Sequence, residues 1–218
     1  MRNGLGRALL GMVVLAGMGE ALSAQMPGAP VLQNAFSNPG ITVAANVANL
    51  GGATSYAAAG AWAPGGGRFQ LSAGVGAQTR ADTPTRTVYG ARVNVPVFGM
   101  ASSFGVSVFA GFGGLSGRDL DSTVAKSIIP AGLTASYRLS MGSIRGVSVY
   151  ASPLVEWVTR GGTGGNATVF RGALGADFAL TSSIGLTLGV ELGAKHEAST
   201  GKPSGTAFGA GLSYALGR

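Results

Sequence analysis

The 218-residue chain contains no cysteine and a single histidine, and only 11% of its residues are charged. Without thiols there is neither a disulfide framework nor a thiolate metal site. One histidine leaves little material for histidine-centred catalysis. A charge fraction this low, against about a quarter in ordinary soluble domains, and a mean hydropathy of +0.35 would make a poorly dissolved globular protein. Long apolar runs are missing as well: beyond the N-terminus no stretch approaches the roughly 18 to 20 apolar residues that a spanning helix needs. The net charge is +7, yet the Lys and Arg residues form no cluster or stripe of the kind that binds nucleic acid.

The N-terminus carries an export pattern. Arg2 and Arg7 give a positive start, "ALLGMVVLAGM" (Ala8 to Met18) a short apolar core, and "ALSA" a small-residue cleavage site ending at Ala24. This predicts a signal peptide over 1–24. A proline-containing lead-in without period follows over 25–39, and the folded domain is expected over 40–218.

What the chain has instead is alternation. In "IGLTLGVELGAKHE" (Ile184 to Glu197) the residues Ile184, Leu186, Leu188, Val190, Leu192 and Ala194 share one face, and Gly185, Thr187, Gly189, Glu191, Gly193 and Lys195 the other. Period two is a strand signal. About ten such segments run from Ile41–Asn49 to Ala207–Leu216, among them Thr87–Phe98, Ile129–Ser140, Val147–Thr159 and Thr168–Leu180. Each is near the length that crosses a bilayer as a tilted strand. Long polar connections, "TRADTPTR" (Thr79 to Arg86), "LSGRDLDSTVAKS" (Leu115 to Ser127), "RGGTGGN" (Arg160 to Asn166) and "HEASTGKPSGT" (His196 to Thr206), take turns with short ones such as "PGGG" (Pro64 to Gly67) and "TSS" (Thr181 to Ser183). Short turns on one side and longer loops on the other are the asymmetry of an outer-membrane barrel, with the turns and both termini periplasmic.

The face opposite the apolar one is Gly, Ala, Ser and Thr, too poorly charged to be the exterior of a soluble barrel; the apolar face is therefore expected to point outward. Aromatic placement agrees. Outward rings fall in a loop-end row, Tyr56, Tyr89, Phe112, Trp157, Phe170 and Phe208, and a turn-end row, Trp62, Phe69, Phe104, Tyr137, Phe178 and Tyr214. Two such rows are expected as aromatic girdles at the two bilayer interfaces. Inside, the expected lumen charges are Arg92, Arg138, Glu156, Arg171, Asp177 and Glu191, with Lys195 near the rim. A hairpin closing symmetrically near Thr163 and Gly164 puts Glu156 directly opposite Arg171 as an ion pair.

Taken together, these features resemble the small outer-membrane β-barrel proteins of diderm bacteria, the opacity-protein-like and porin-like group. The resemblance covers about Gly40 to Arg218 and lies in pattern; the chain departs from it by ending on Arg218 rather than on an aromatic residue. It implies a bacterial cell-envelope protein of the outer membrane, inserted by the barrel-assembly machinery. The expected fold is all-β, a transmembrane antiparallel up-and-down β-barrel of about ten strands, with eight or twelve as alternatives.

For function the expectation is a monomeric, non-enzymatic, structural or surface-interacting barrel, touching outer-membrane lipid and lipopolysaccharide, with no cofactor, no metal and no nucleic acid. Loop-assigned basic residues, Arg80, Arg86, Arg118, Lys126, Arg160, Lys195 and Lys202, outnumber Asp82, Asp119, Asp121 and Glu197, which suits anionic head groups. A narrow porin-like channel is the alternative. A second alternative, an outer-membrane protease or lipid-modifying enzyme, would centre on His196 with Glu197 and Ser199. "GFGGLSG" (Gly111 to Gly117) opens no helix pattern, which removes a phosphate-loop reading.

Overall fold

The computed structural model describes residues 39–49, 53–65, 68–81, 83–99, 103–116, 125–139, 146–160, 165–194 and 204–216. The expected signal peptide, nearly all of the lead-in, and the loop positions Asp82, Arg118, Asp119, Asp121, Lys195, His196, Glu197, Ser199 and Lys202 lie outside the described residues.

Ten antiparallel strands account for nearly all of these residues: β1 (Gly40–Asn49), β2 (Ala53–Ala63), β3 (Gln70–Arg80), β4 (Thr83–Phe98), β5 (Phe104–Ser116), β6 (Ala125–Leu139), β7 (Val147–Arg160), β8 (Asn166–Ala179), β9 (Ile184–Ala194) and β10 (Ser204–Leu216). Each pairs with its neighbours in sequence, and β1 closes on β10 from Ile41↔Leu216 to Asn49↔Phe208. Closure satisfies every edge, the condition under which strands survive in hydrocarbon.

The predicted alternation is realised with its apolar face outward. In β10 Phe208, Leu212, Tyr214 and Leu216 are all exposed, and in β1 Ile41, Val43 and Val47 are. Strand β9, whose sequence posed the question of facing, has Leu192 exposed while Thr187 and Glu191 on its other face are buried.

Where the strands differ from expectation, they differ mainly on one side. Turn-side limits agree within two residues, whereas on the loop side β4 begins at Thr83 rather than Thr87, β6 at Ala125 rather than Ile129, and β8 at Asn166 rather than Thr168. "TRADTPTR" is therefore mostly strand, and Arg80, Arg86, Lys126 and Arg160 belong to the wall rather than to loops. The physical reason is that alternation marks only the part of a strand with an apolar face to hide, while ladder hydrogen bonds carry the strand past it.

Four prolines sit inside this closed wall, where each removes a ladder donor. Pro84, near the loop end of β4, lies where the β3–β4 register shifts, between Gln78↔Arg86 and Arg80↔Thr83. The β5–β6 register lapses between Ala110↔Ala131 and Gly113↔Ile128, beside Pro130. The β6–β7 register lapses between Gly132↔Leu154 and Ala135↔Ala151, beside Pro153. Pro96 lies at the register shift between β4 and β5.

Candidate functional site: the barrel lumen

The inward face is divided. On β10, β1, β2 and β3 it is built from small residues, among them Ala44, Ala48, Ala59, Ala61, Ser72, Gly76 and Ala207, while long side chains rise from β4 to β9. The small half leaves room that the long half fills. Toward the loop end, Val88, Leu115, Ile128, Val158 and Val169 from five successive strands form one buried apolar cluster, a layer across β4 to β8.

Below it lies the charged layer. Arg171 is held between two carboxylates: its Nε donates to Glu191 Oε1 and lies 3.8 Å from Glu156 Oε2. The side chains of Arg171, Glu156 and Glu191 are 1%, 7% and 6% exposed. A triad this dry must satisfy its charges internally, because each would otherwise lose its hydration without return.

The expected direct pairing of Glu156 with Arg171 is corrected. Glu156 faces Val169, and Arg171 faces Leu154. The β7–β8 hairpin closes two residues away from the symmetric assumption, with Thr159 opposite Asn166 and Gly165 at φ +64° leading into β8. A shift of two keeps both residues on the inward face, so the ion pair forms on the diagonal, and Glu191 of β9 supplies the closer contact.

Arg92 anchors a second network. Its Cζ stands 3.5 Å above the centroid of Phe109, its Nε donates to Asn94 Oδ1 at 2.9 Å, and its Nη2 reaches Thr134 Oγ1 at 3.5 Å. Thr134 Oγ1 and Ser152 Oγ are 3.0 Å apart, and Ser152 Oγ donates to Leu133 O at 3.1 Å. That last bond fixes the direction of the chain, with Thr134 donating to Ser152. It also replaces a ladder bond: carried on from Gly132↔Leu154, the register puts Leu133 opposite Pro153, which has no N–H to offer. A lumen hydroxyl thus does the work of a missing backbone donor.

The remaining expected lumen charges are placed differently from these. Asp177 is half-buried and accepts from Thr187 Oγ1 and, at 3.5 Å, from Ser148 Oγ. Arg138 has inward parity but sits at the turn-end mouth, exposed. Arg86, read as a loop residue, is inward and buried on β4, opposite the buried Gln78. Phe109 and Tyr150 are inward rings that aromatic counting passes over; parity betrays Phe109, which is odd where the outward Phe104 and Phe112 are even. Tyr150 lies on Gly175, its cross-strand neighbour, where an added Cβ would come 2.3 Å from the ring. Among the described residues no group of three or more His, Cys, Asp or Glu side chains could hold a metal ion.

On the exterior, ten of the twelve expected girdle residues, Tyr56, Tyr89, Phe112, Trp157, Phe170, Phe208, Trp62, Phe104, Tyr137 and Tyr214, are exposed, and Phe69 and Phe178 are half-buried on the same face. Trp62 packs edge-on against Phe69 at 5.7 Å between centroids, and Tyr89 against Phe112 at 6.1 Å. Phe98, outside the expected set, is also exposed, and packs on Phe104.

No protein-family model matches the sequence, and no curated protein matches it significantly. Solved structures do match in fold. A bacterial polysaccharide outer-membrane secretin aligns at TM-score 0.50 and 9% identity over 84% of this chain and 67% of the other. Neisserial surface protein A aligns at TM-score 0.40 and 13% identity, over 81% and 97% of the two chains. The outer-membrane protease OmpT of Escherichia coli aligns at 0.41 and 8%, over 82% and 94%. The first of these supports the fold: this chain has the closed antiparallel barrel architecture of outer-membrane β-barrels.

Proposed function

We propose that the protein is a monomeric outer-membrane barrel with a sealed lumen, structural or surface-interacting rather than enzymatic. The observation that carries this is the inversion of the barrel: its exposed surface is rich in large apolar and aromatic side chains, while Arg92, Glu156, Arg171 and Glu191 are each 5% exposed inside. Water would not dissolve such an exterior, and hydrocarbon would. The sealed lumen is supported by the apolar layer at the loop end and by the triad beneath it. Lipopolysaccharide at the outer surface and the barrel-assembly machinery during insertion are the partners this reading implies, with Arg118, Lys195 and Lys202 as candidate head-group contacts.

Planar-bilayer recording of the refolded protein tests the seal. No steady open level is expected; a stable conductance would replace this reading by the porin-like one. That second reading has one observation of its own, since Asn46 is buried with neither Nδ2 nor Oδ1 bonded to protein, and groups of this kind are usually met by water. Neither protease nor lipase activity is expected, and an activity that disappears in His196→Ala would establish an enzyme.

A further inference from the structure

A groove of about 760 Å³ runs over the outer wall from β1 to β5. Its floor is a row of minimal side chains, Gly60, Ala73 and Ala91, which face one another in register. Its turn-ward bank is the next row, Trp62, Leu71 and Val93, likewise in register. A Cβ on Gly60 would meet nothing within 4 Å, so the floor is open to the outside. The Trp62–Phe69 ring pair closes the turn-ward end, and the residue beside Phe69 is Arg68, exposed in the turn between β2 and β3. In sequence, the four short connections, 64–69, 99–103, 140–146 and 180–183, hold Arg68 and Arg145 as their only charges.

We propose that this groove seats an acyl chain of an anionic phospholipid whose phosphate pairs with Arg68. The proposal rests on the membrane reading above. In that frame the turn end faces the periplasmic leaflet, the groove lies between the two aromatic rows, and Arg68, which forms no ion pair among the described residues, stands where a head group would be. Aromatic rings at that depth hold both ends of a lipid, apolar body and polar tip, and a surface cation adds the charge selectivity.

Trp62 reports on the site directly, because the chain has two tryptophans and Trp157→Phe leaves Trp62 alone. The refolded Trp157→Phe protein is placed in phosphatidylcholine vesicles containing, at the same low mole fraction, acyl-brominated phosphatidylglycerol or acyl-brominated phosphatidylcholine. Quenching of Trp62 by the anionic lipid is expected to be about fivefold more effective. Arg68→Ala should abolish the preference, and Gly60→Leu, which fills the floor, should abolish it with Arg68 intact. Equal quenching by the two lipids, a preference that survives both substitutions, or quenching that fades as the protein-to-lipid ratio rises, the mark of a second copy in the groove, would each overturn the proposal. No quenching by either lipid would instead overturn the membrane reading.

Discussion

Replacing Arg171 by alanine should be among the most damaging single changes in this barrel. Its side chain is 1% exposed and serves two glutamates whose side chains are 7% and 6% exposed. Removing it leaves both acids in a dry interior without that cation, a loss of about 3–5 kcal/mol for a buried pair broken from one side. The acids themselves should be unequal: Glu191→Ala removes the hydrogen-bonded partner and should cost roughly 2–3 kcal/mol, whereas Glu156→Gln, which removes the more distant of two competing negative charges, should cost under about 1 kcal/mol. The triple change Arg171→Met, Glu156→Gln, Glu191→Gln removes the charges while keeping the volume, and should recover most of the loss, ending within about 2 kcal/mol of the parent. Urea unfolding of the barrel from vesicles, followed by tryptophan emission and by gel mobility with and without boiling, measures each value. An Arg171→Ala protein within about 1 kcal/mol of the parent would mean that water reaches the site, and the sealed lumen would fail with it.

Two further outcomes follow from particular contacts and a third from the asymmetry of loops and turns. Gly175→Ala would put a Cβ 2.3 Å from the Tyr150 ring and 2.6 Å from Leu188 O; the ring can move but the carbonyl cannot, so a destabilisation of about 1–3 kcal/mol is expected in the same urea assay. Ser152→Ala deprives Leu133 O of its donor and should cost about 1–3 kcal/mol, while Ser152→Thr, which keeps the hydroxyl, should cost less; equal losses would show that the hydroxyl is not replacing the ladder bond. Single cysteines at Ser122, Thr163 and Ser199 should react with an impermeant thiol reagent on intact cells, and cysteines at Ser102 and Ser182 only after the outer membrane is opened, with the reverse pattern inverting the barrel.

The strand count, the facing and the short turns were legible because each is written in period two. Outward Leu192, Leu212 and Tyr214 and inward Thr187 and Glu191 follow from parity alone, since one residue of error would reverse every one of them. Strand ends on the loop side were not legible. Thr83, Thr85, Arg86 and Asn166 are polar, and polarity reads as loop, but a ladder asks only for N–H and C=O groups. That one effect accounts for the misplaced Arg86 and for the β7–β8 register, which was centred on a loop taken as two residues too long. The lumen networks escaped for another reason. Thr134 and Ser152 look like space-filling residues on an inward face, and their pairing depends on the β6–β7 register and on Arg92 arriving from β4, neither of which sequence spacing supplies.

The prolines connect these two levels. A closed barrel has no free edge on which a residue without N–H can be placed, so Pro130 and Pro153 each cost β6 a bond to one of its two neighbours. At Pro153 the compensation comes from inside: Ser152, one residue away, turns inward by parity and is thereby positioned to reach back to Leu133 O, while Thr134, itself reached by Arg92, holds its oxygen from the other side. Polar side chains in this lumen therefore have a structural reason to be present that requires no solute. A hydroxyl beside a strand proline on the lumen face repairs the wall, and an arginine above it completes the repair. By this argument a polar lumen is weak evidence for a pore until its groups are shown to be free of the wall, and in this barrel Arg92, Thr134 and Ser152 are bound to it.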